Sequence, residues 1–577
     1  MIALMRKPDS TQRAQRRTQK AQKIFGVESP LSICFAPFVF FFALFVIDRF
    51  PNRQIVLARA PQSSTASQQK AQPGSAIGEA IAAFERGDSD RARRLFEEAL
   101  GADPKNTTAL TFLGLIADRG GNLAEASAYF EKAVKLDPDQ SSARNNYGAI
   151  LLKLGRRREA AIQFEASLRL DNRQMSALVN LAQLRAASGA REDLRAALDL
   201  FERALAIAPD AEIMRALTVI ALRLGERETA SRYYKNYSQS LANQTAPPAP
   251  ETRAELGAAM SEAGLFKEAV AELTAAVQAS PSAPETVLRL AKAYIELRDL
   301  PGAGRTLEGA VARGVETGPI YALLSTVYEK SGHIERAIPA MRLAIEREPQ
   351  SEQRRFEYGM LLTNAMAPAA AVIRLEESLR IFPESSRLWF ALGIARFKQD
   401  QNEEAAQAFA RASEMDRKFA APLVYLGLTR VEKGQYEEAV KLYEQALAIN
   451  GDLGVVDYLI ANALTKESST DNARIEAHLL RAIRSEPSFA PARLSLAKLL
   501  LRANRLNEAR TELERALALD ANLAEAHYQL GLVYSRLRRM DDAKSSMARF
   551  KQLSDSEKEQ AMKERKEIVD RLAKTLF

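Results

Sequence analysis

The chain has 577 residues, 47% of them hydrophobic and 27% charged, with one tryptophan and a formal net charge of +8. That length exceeds a single hydrophobic core, and that balance excludes both a disordered polar chain and one that fills a membrane. The charge is local: residues 1–30 carry Arg6, Lys7, Arg13, Arg16, Arg17, Lys20 and Lys23 against Asp9 and Glu28, leaving 74 basic and 71 acidic side chains in the other 547 residues. A nearly neutral body argues against nucleic acid as a partner, since that interface needs basic residues gathered on one face.

In chain order, the basic tail (1–30) precedes LSICFAPFVFFFALFVI, Leu31–Ile47, seventeen residues without a charge. This is the short end of what a spanning helix requires. Seven basic residues before it, against Arg49, Arg53 and Arg59 after it, predict an N-terminus in the cytoplasm and a single pass through the cytoplasmic (inner) membrane. The rest of the chain is then periplasmic or outside. Ala58-Arg59-Ala60 keeps a second reading open, a signal cleaved near Ala60 and a secreted product. Cys34, the only cysteine, permits no intrachain disulfide and reads as an apolar residue of this segment. Residues 48–74, rich in Gln, Ser, Ala and Pro without periodicity, read as a flexible linker.

From residue 75 the pattern is helical and repeats. Ala92, Ala126, Ala160, Ala197, Ala230, Ala269, Ala303, Ala337, Ala371, Ala405, Ala439, Ala509 and Ala543 form a column, most of them 34 residues apart. Four residues after the column comes a large side chain, as in Phe96, Phe130, Phe164, Phe201, Tyr234, Phe409 and Tyr443. Upstream, a large residue precedes glycine in Leu113-Gly114, Tyr147-Gly148, Leu256-Gly257, Leu392-Gly393 and Leu426-Gly427. A turn glycine (Gly121, Gly155, Gly264, Gly434) follows seven residues later, and a proline (Pro104, Pro138, Pro349, Pro487) often closes the unit. Each unit is a helix, a turn and a second helix. Small residues let the two helices approach, and the aromatic is expected to fill the gap to the neighbouring pair. One pair cannot bury its apolar face alone; stacking does.

Prolines 247, 248 and 250 interrupt the array, dividing it into a first segment (75–240), a seam (241–253) and a second segment (254–554). The unit at 455–488 is degenerate, with Ile475 in place of the alanine. Residues 555–577, a charged amphipathic stretch, are expected to form a C-terminal helix that caps the final repeat.

These columns resemble the tetratricopeptide-repeat family, whose markers are Trp, Leu-Gly and Tyr in the first helix and Ala, Phe and Pro in the second. Trp389-Phe-Ala-Leu392-Gly393 is the best local match, with Arg396 where the family prefers Tyr; Tyr328 and Tyr534 supply that aromatic in their own units. The resemblance implies an all-α, right-handed superhelical solenoid of about fourteen repeats, of the membrane-anchored bacterial type. It also implies that the first helices line a concave groove binding proteins or peptides. Phe356 and Met360, then Phe390, Ile394 and Phe397, then Tyr425, Leu428 and Val431 are apolar at non-marker positions of three successive first helices. They are candidates for a groove that takes an apolar peptide or helix face; the other reading is that they pack as core against the neighbouring pair. Two specialised family sites do not carry over. Asn146 and Asn180 stand where chaperone-tail binders place clamp asparagines, but Thr111, Leu115, Glu212 and Ala216 replace the accompanying basic residues, and the asparagines do not extend into a ladder.

Chemistry is scarce. The three histidines, His333, His478 and His527, have no second histidine or cysteine at ligand spacing, and His333 beside Gly332 reads as solvated. No phosphate loop or nucleophile elbow is present, and no long stretch outside the repeats remains for a catalytic domain. The expectation is a non-enzymatic scaffold without cofactor, metal or small-molecule substrate, working in envelope assembly, secretion or polysaccharide export. The alternative is a recruiting subunit of a separately encoded enzyme such as a glycosyltransferase.

Overall fold

The computed structural model describes residues 76–242, 246–451, 453–467, 471–553, 564, 566–568 and 571–572. The basic tail, the apolar segment Leu31–Ile47 and the 48–74 linker lie outside the described residues. Among those described, no helix is long and apolar enough to cross a membrane.

Twenty-eight helices run from Ala76–Glu85 to Met540–Leu553 among the described residues, with no strand between them. They form fourteen successive pairs, and the second pair shows why. Asn106 opens the helix Thr107–Arg119 by accepting the Ala109 N–H at 2.9 Å. Gly121, at φ +78°, takes the left-handed turn that a side chain would resist, and Asn122 caps Leu123–Leu136. The Asp137 N–H reaches the Ala133 carbonyl at 2.9 Å, and Pro138 cannot continue the helix.

Ala126 and Phe130 are fully buried. A Cβ on Gly114 would stand 2.8 Å from the Phe130 ring, so that ring lies on bare backbone in the first helix of its own pair. Gly148 with Phe164, Gly393 with Phe409 and Gly427 with Tyr443 repeat the fit. Here the structure corrects the sequence reading: the aromatic first fills its own pair. It reaches the neighbour as well, since Phe96 stacks on Phe112 of the next pair at 4.9 Å.

The chain divides into two compact units, one ending at Ala279 and one beginning at Ser280. The proline seam lies inside the first unit, where side chains tie its two flanks together. Ser231, before the seam, donates to Glu268 at 2.8 Å, and Tyr234 donates to Glu272 at 3.0 Å. In the second unit, the described residues of the C-terminal stretch make contacts well upstream of the final pair they were expected to cap. Glu564 and Arg571 reach Tyr458, Glu486 and Ser488 on the degenerate pair and the loop after it.

Candidate functional site

The eight candidates occupy equivalent turns of three first helices: Glu352–Asn364, Ser386–Phe397 and Ala420–Glu432. Their placement separates them into two groups. Phe390 is 0% exposed and Tyr425 is 4% exposed, because Phe390 meets Phe409, Phe419 and Tyr425 at ring separations of 5.7, 5.2 and 5.4 Å. Phe397 abuts Tyr425 at 6.4 Å, and it is buried with Ile394. Phe356 is also buried, with the Arg387 guanidinium 4.6 Å above its ring. All five belong to the core, and the four aromatics among them are large enough to bridge to a neighbouring pair. Met360, Leu428 and Val431 remain half-buried, each packed on core residues beneath and open to solvent above. They are the part of the predicted groove that a partner could touch.

The asparagines predicted to be unlike a clamp, Asn146 and Asn180, are joined through Asn145. Asn180 donates to Asn145 at 3.0 Å and Asn145 donates to Asn146 at 3.2 Å, all three buried between successive first helices. The sequence reading passed over Asn145, whose signal was its place beside Asn146 in the same register. Buried amides in such a chain must satisfy each other or water, and here they link two pairs.

A second polar cluster escaped the sequence reading because it sits in the degenerate unit. Asp457, 3% exposed on Gly454–Lys466, accepts from Arg481 Nε at 3.0 Å and lies 2.7 Å from His478 Nδ1. Two side chains of the second helix, Asn472–Ser485, thus surround one buried carboxylate and lock the pair where the alanine column fails. The other histidines stand elsewhere: His333 is exposed beside Glu335, and His527 faces the Ala521 carbonyl at 3.1 Å.

A third lies across the proline seam. Glu272 is buried with Tyr234, and the Arg253 guanidinium stands 3.6 Å away. Burial pushes the Glu272 carboxyl above its ordinary range, and burial beside Glu272 pushes the Tyr237 phenol up to about 12.

Paired helices in tandem, glycine facing aromatic within each pair, define a helical-repeat protein that presents rows of side chains along its first helices. Models described as tetratricopeptide repeat match residues 77–141, 368–418 and 390–454, residues 260–327, and residues 318–351 and 524–556; one described as TPR repeat matches 497–537. The chain belongs to the tetratricopeptide-repeat family. It is 27% identical over 173 residues to the human protein O-mannosyl-transferase TMTC3, covering 28% of this chain and 19% of that protein. It is 27% identical over 116 residues to superkiller protein 3 of Schizosaccharomyces pombe, covering 20% of this chain and 8% of that one. The chain thus spans less than a fifth of the length of these curated relatives. Among solved structures, the Cut9–Hcn1 hetero-tetramer of APC/C aligns with 14% identity over 83% of this chain and 93% of that chain, at a TM-score of 0.35.

Proposed function

We infer that this protein is a non-enzymatic scaffold of the bacterial cell envelope, anchored in the cytoplasmic membrane by Leu31–Ile47 with its repeats in the periplasm. Tetratricopeptide repeats are protein-interaction modules, and the observation that carries the reading is the row of half-buried apolar side chains, Met360, Leu428 and Val431, on first helices. Such residues supply a partner's peptide or helix with apolar area at no cost to the fold, because the core beneath is already closed by Phe390 and Tyr425. The anchor rests on the uncharged run and the seven basic residues ahead of it. The partners belong to envelope assembly, secretion or polysaccharide export.

Crosslinking capture from membranes followed by mass spectrometry tests the scaffold. Partners held by the wild type should be lost from a Leu428→Asp variant whose melting temperature is unchanged; capture insensitive to both Leu428→Asp and Met360→Asp would refute the assignment. Topology has its own test. A reporter active only outside the cytoplasm, fused after residue 240, should be active, and activity of a cytoplasmic reporter instead would overturn it.

One observation favours a second reading, the match to a human protein named as an O-mannosyl-transferase. In that reading the scaffold recruits substrate for a glycosyltransferase encoded elsewhere. Glycosyl transfer by the detergent-extracted complex, and none by the chain alone, distinguishes it.

A further inference from the structure

Among the described residues, the repeat-to-repeat hydrogen bonds span up to 38 residues of sequence. The C-terminal stretch breaks that rule. Glu564 accepts from Tyr458 OH at a separation of 106 residues, and Arg571 donates to Glu486 and to the Ser488 carbonyl at separations of 85 and 83. Arg571 also lies over the Phe489 ring at 4.6 Å, and Leu572, 1% exposed, joins the core cluster with Ile568 against it. The seat is made by the Gly454–Lys466 helix and the loop opening Ala490–Arg502. Tyr458 is the fifth residue of its first helix, the register that Phe390 holds in Ser386–Phe397. Phe390 is closed over by its neighbours, whereas Tyr458 is covered in part by the chain's own C-terminal helix turn.

We propose that this face is a receptor for an amphipathic partner helix of the pattern Glu-x3-Ile-x2-Arg-Leu, and that Glu564, Ile568, Arg571 and Leu572 occupy it as an internal competitor. The proposal deepens the scaffold reading, since it names the chemistry of one partner and the state in which that partner is excluded. The seat supplies one requirement for each residue of the pattern. Tyr458 offers a hydroxyl that burial and Glu564 hold well above its ordinary pKa, so it remains a donor at neutral pH. Glu486 and the Phe489 face take a guanidinium, which a lysine would fit less well because it lacks the planar fork. The apolar pair, one turn apart, fills the remainder. A tethered segment competes at an effective concentration in the millimolar range, so a partner helix binds weakly until that segment leaves.

The test uses the full-length chain in mild detergent and a fluorescent peptide of residues 555–577. Wild type, already seated, should bind the peptide at least tenfold more weakly than an Arg571→Glu variant, whose own segment is repelled by Glu486. In a Glu486→Arg protein that also carries Leu572→Asp to unseat its segment, an Arg571→Glu peptide should bind better than the wild-type peptide. Equal or absent binding to wild type and Arg571→Glu, or a steep fall in melting temperature without peptide capture, would show a plain cap and overturn the proposal. So would a wild-type dimer, by light scattering, that Arg571→Glu dissolves, because the seat would then belong to a second copy. Met360→Asp should leave peptide capture unchanged, which keeps this result separate from the fate of the Met360, Leu428 and Val431 surface.

Discussion

A single position, Gly393, shows how strictly each pair is fitted. A Cβ there would stand 2.4 Å from Phe409 Cε1 and 2.5 Å from Cδ1, and Phe409 is fully buried with Phe390 and Tyr425 around it. The ring has no space to retreat into. Gly393→Ala should therefore destabilise the second unit by about 1–3 kcal/mol through overpacking. Gly101 provides the control, since a Cβ there meets nothing within 4 Å, and Gly101→Ala should be neutral or slightly stabilising. Denaturant melts of the two variants check the pair, and equal losses would refute the account. The sequence displayed this column through its spacing but not the direction of the contact. Both neighbours of Phe130 recur at the same period, so periodicity alone could not tell its own pair from the next.

At the scale of helices, the proline seam is held by a charge in the wrong solvent. Glu272 lies on Phe266–Ala279, the second helix after the seam, and accepts from Tyr234 on the helix before it, with Arg253 in a loose ion pair at 3.6 Å. Burial raises its folded pKa above the ordinary carboxylate value, so ionisation opposes folding. The sign follows from linkage: the cost is absent below the unfolded pKa of about 4, grows as pH rises through it, and is complete above the folded pKa. Glu272→Gln keeps an acceptor for Tyr234 without the charge. It should raise the melting temperature at pH 7 by a few degrees, and the gain should vanish near pH 4; a gain that persists in acid, or a loss at pH 7, contradicts this. Prolines 247, 248 and 250 made the interruption legible in the sequence, but nothing there revealed the buried carboxylate that spans it. Glu272 is one of many acidic residues at helical spacing, and only packing distinguishes it from a solvated one. The same blindness applies to Asp457, whose partners His478 and Arg481 lie in the unit where the repeat markers lapse.

Within each compact unit, described helix pairs contact the pairs next to them, so stability there is close to a sum of pair and interface contributions. This explains why the fold was readable from a column of alanines while the site was not. Repeated residues report the architecture, and the surfaces proposed for partners rest on residues that do not repeat, such as Leu428 and Val431 or the C-terminal Arg571. Five of the eight groove candidates proved to be core, because a large apolar side chain at a non-marker turn is as well suited to bridging helices as to meeting a partner. The additive scheme also predicts where damage stops. Phe390 touches Phe409 of its own pair and Phe419 and Tyr425 of the next, so Phe390→Ala should cost about 3–5 kcal/mol, confined to that neighbourhood. Amide exchange in Ser386–Phe397, Asn402–Met415 and Ala420–Glu432 should accelerate about a hundredfold or more. Exchange in Thr107–Arg119 and Ser141–Lys153, in the other compact unit, should not change. Hydrogen-exchange mass spectrometry reads both regions in one experiment. Acceleration spread evenly over the two units would mean that the array unfolds as one cooperative body, and that the pairwise scheme drawn from its contacts is wrong.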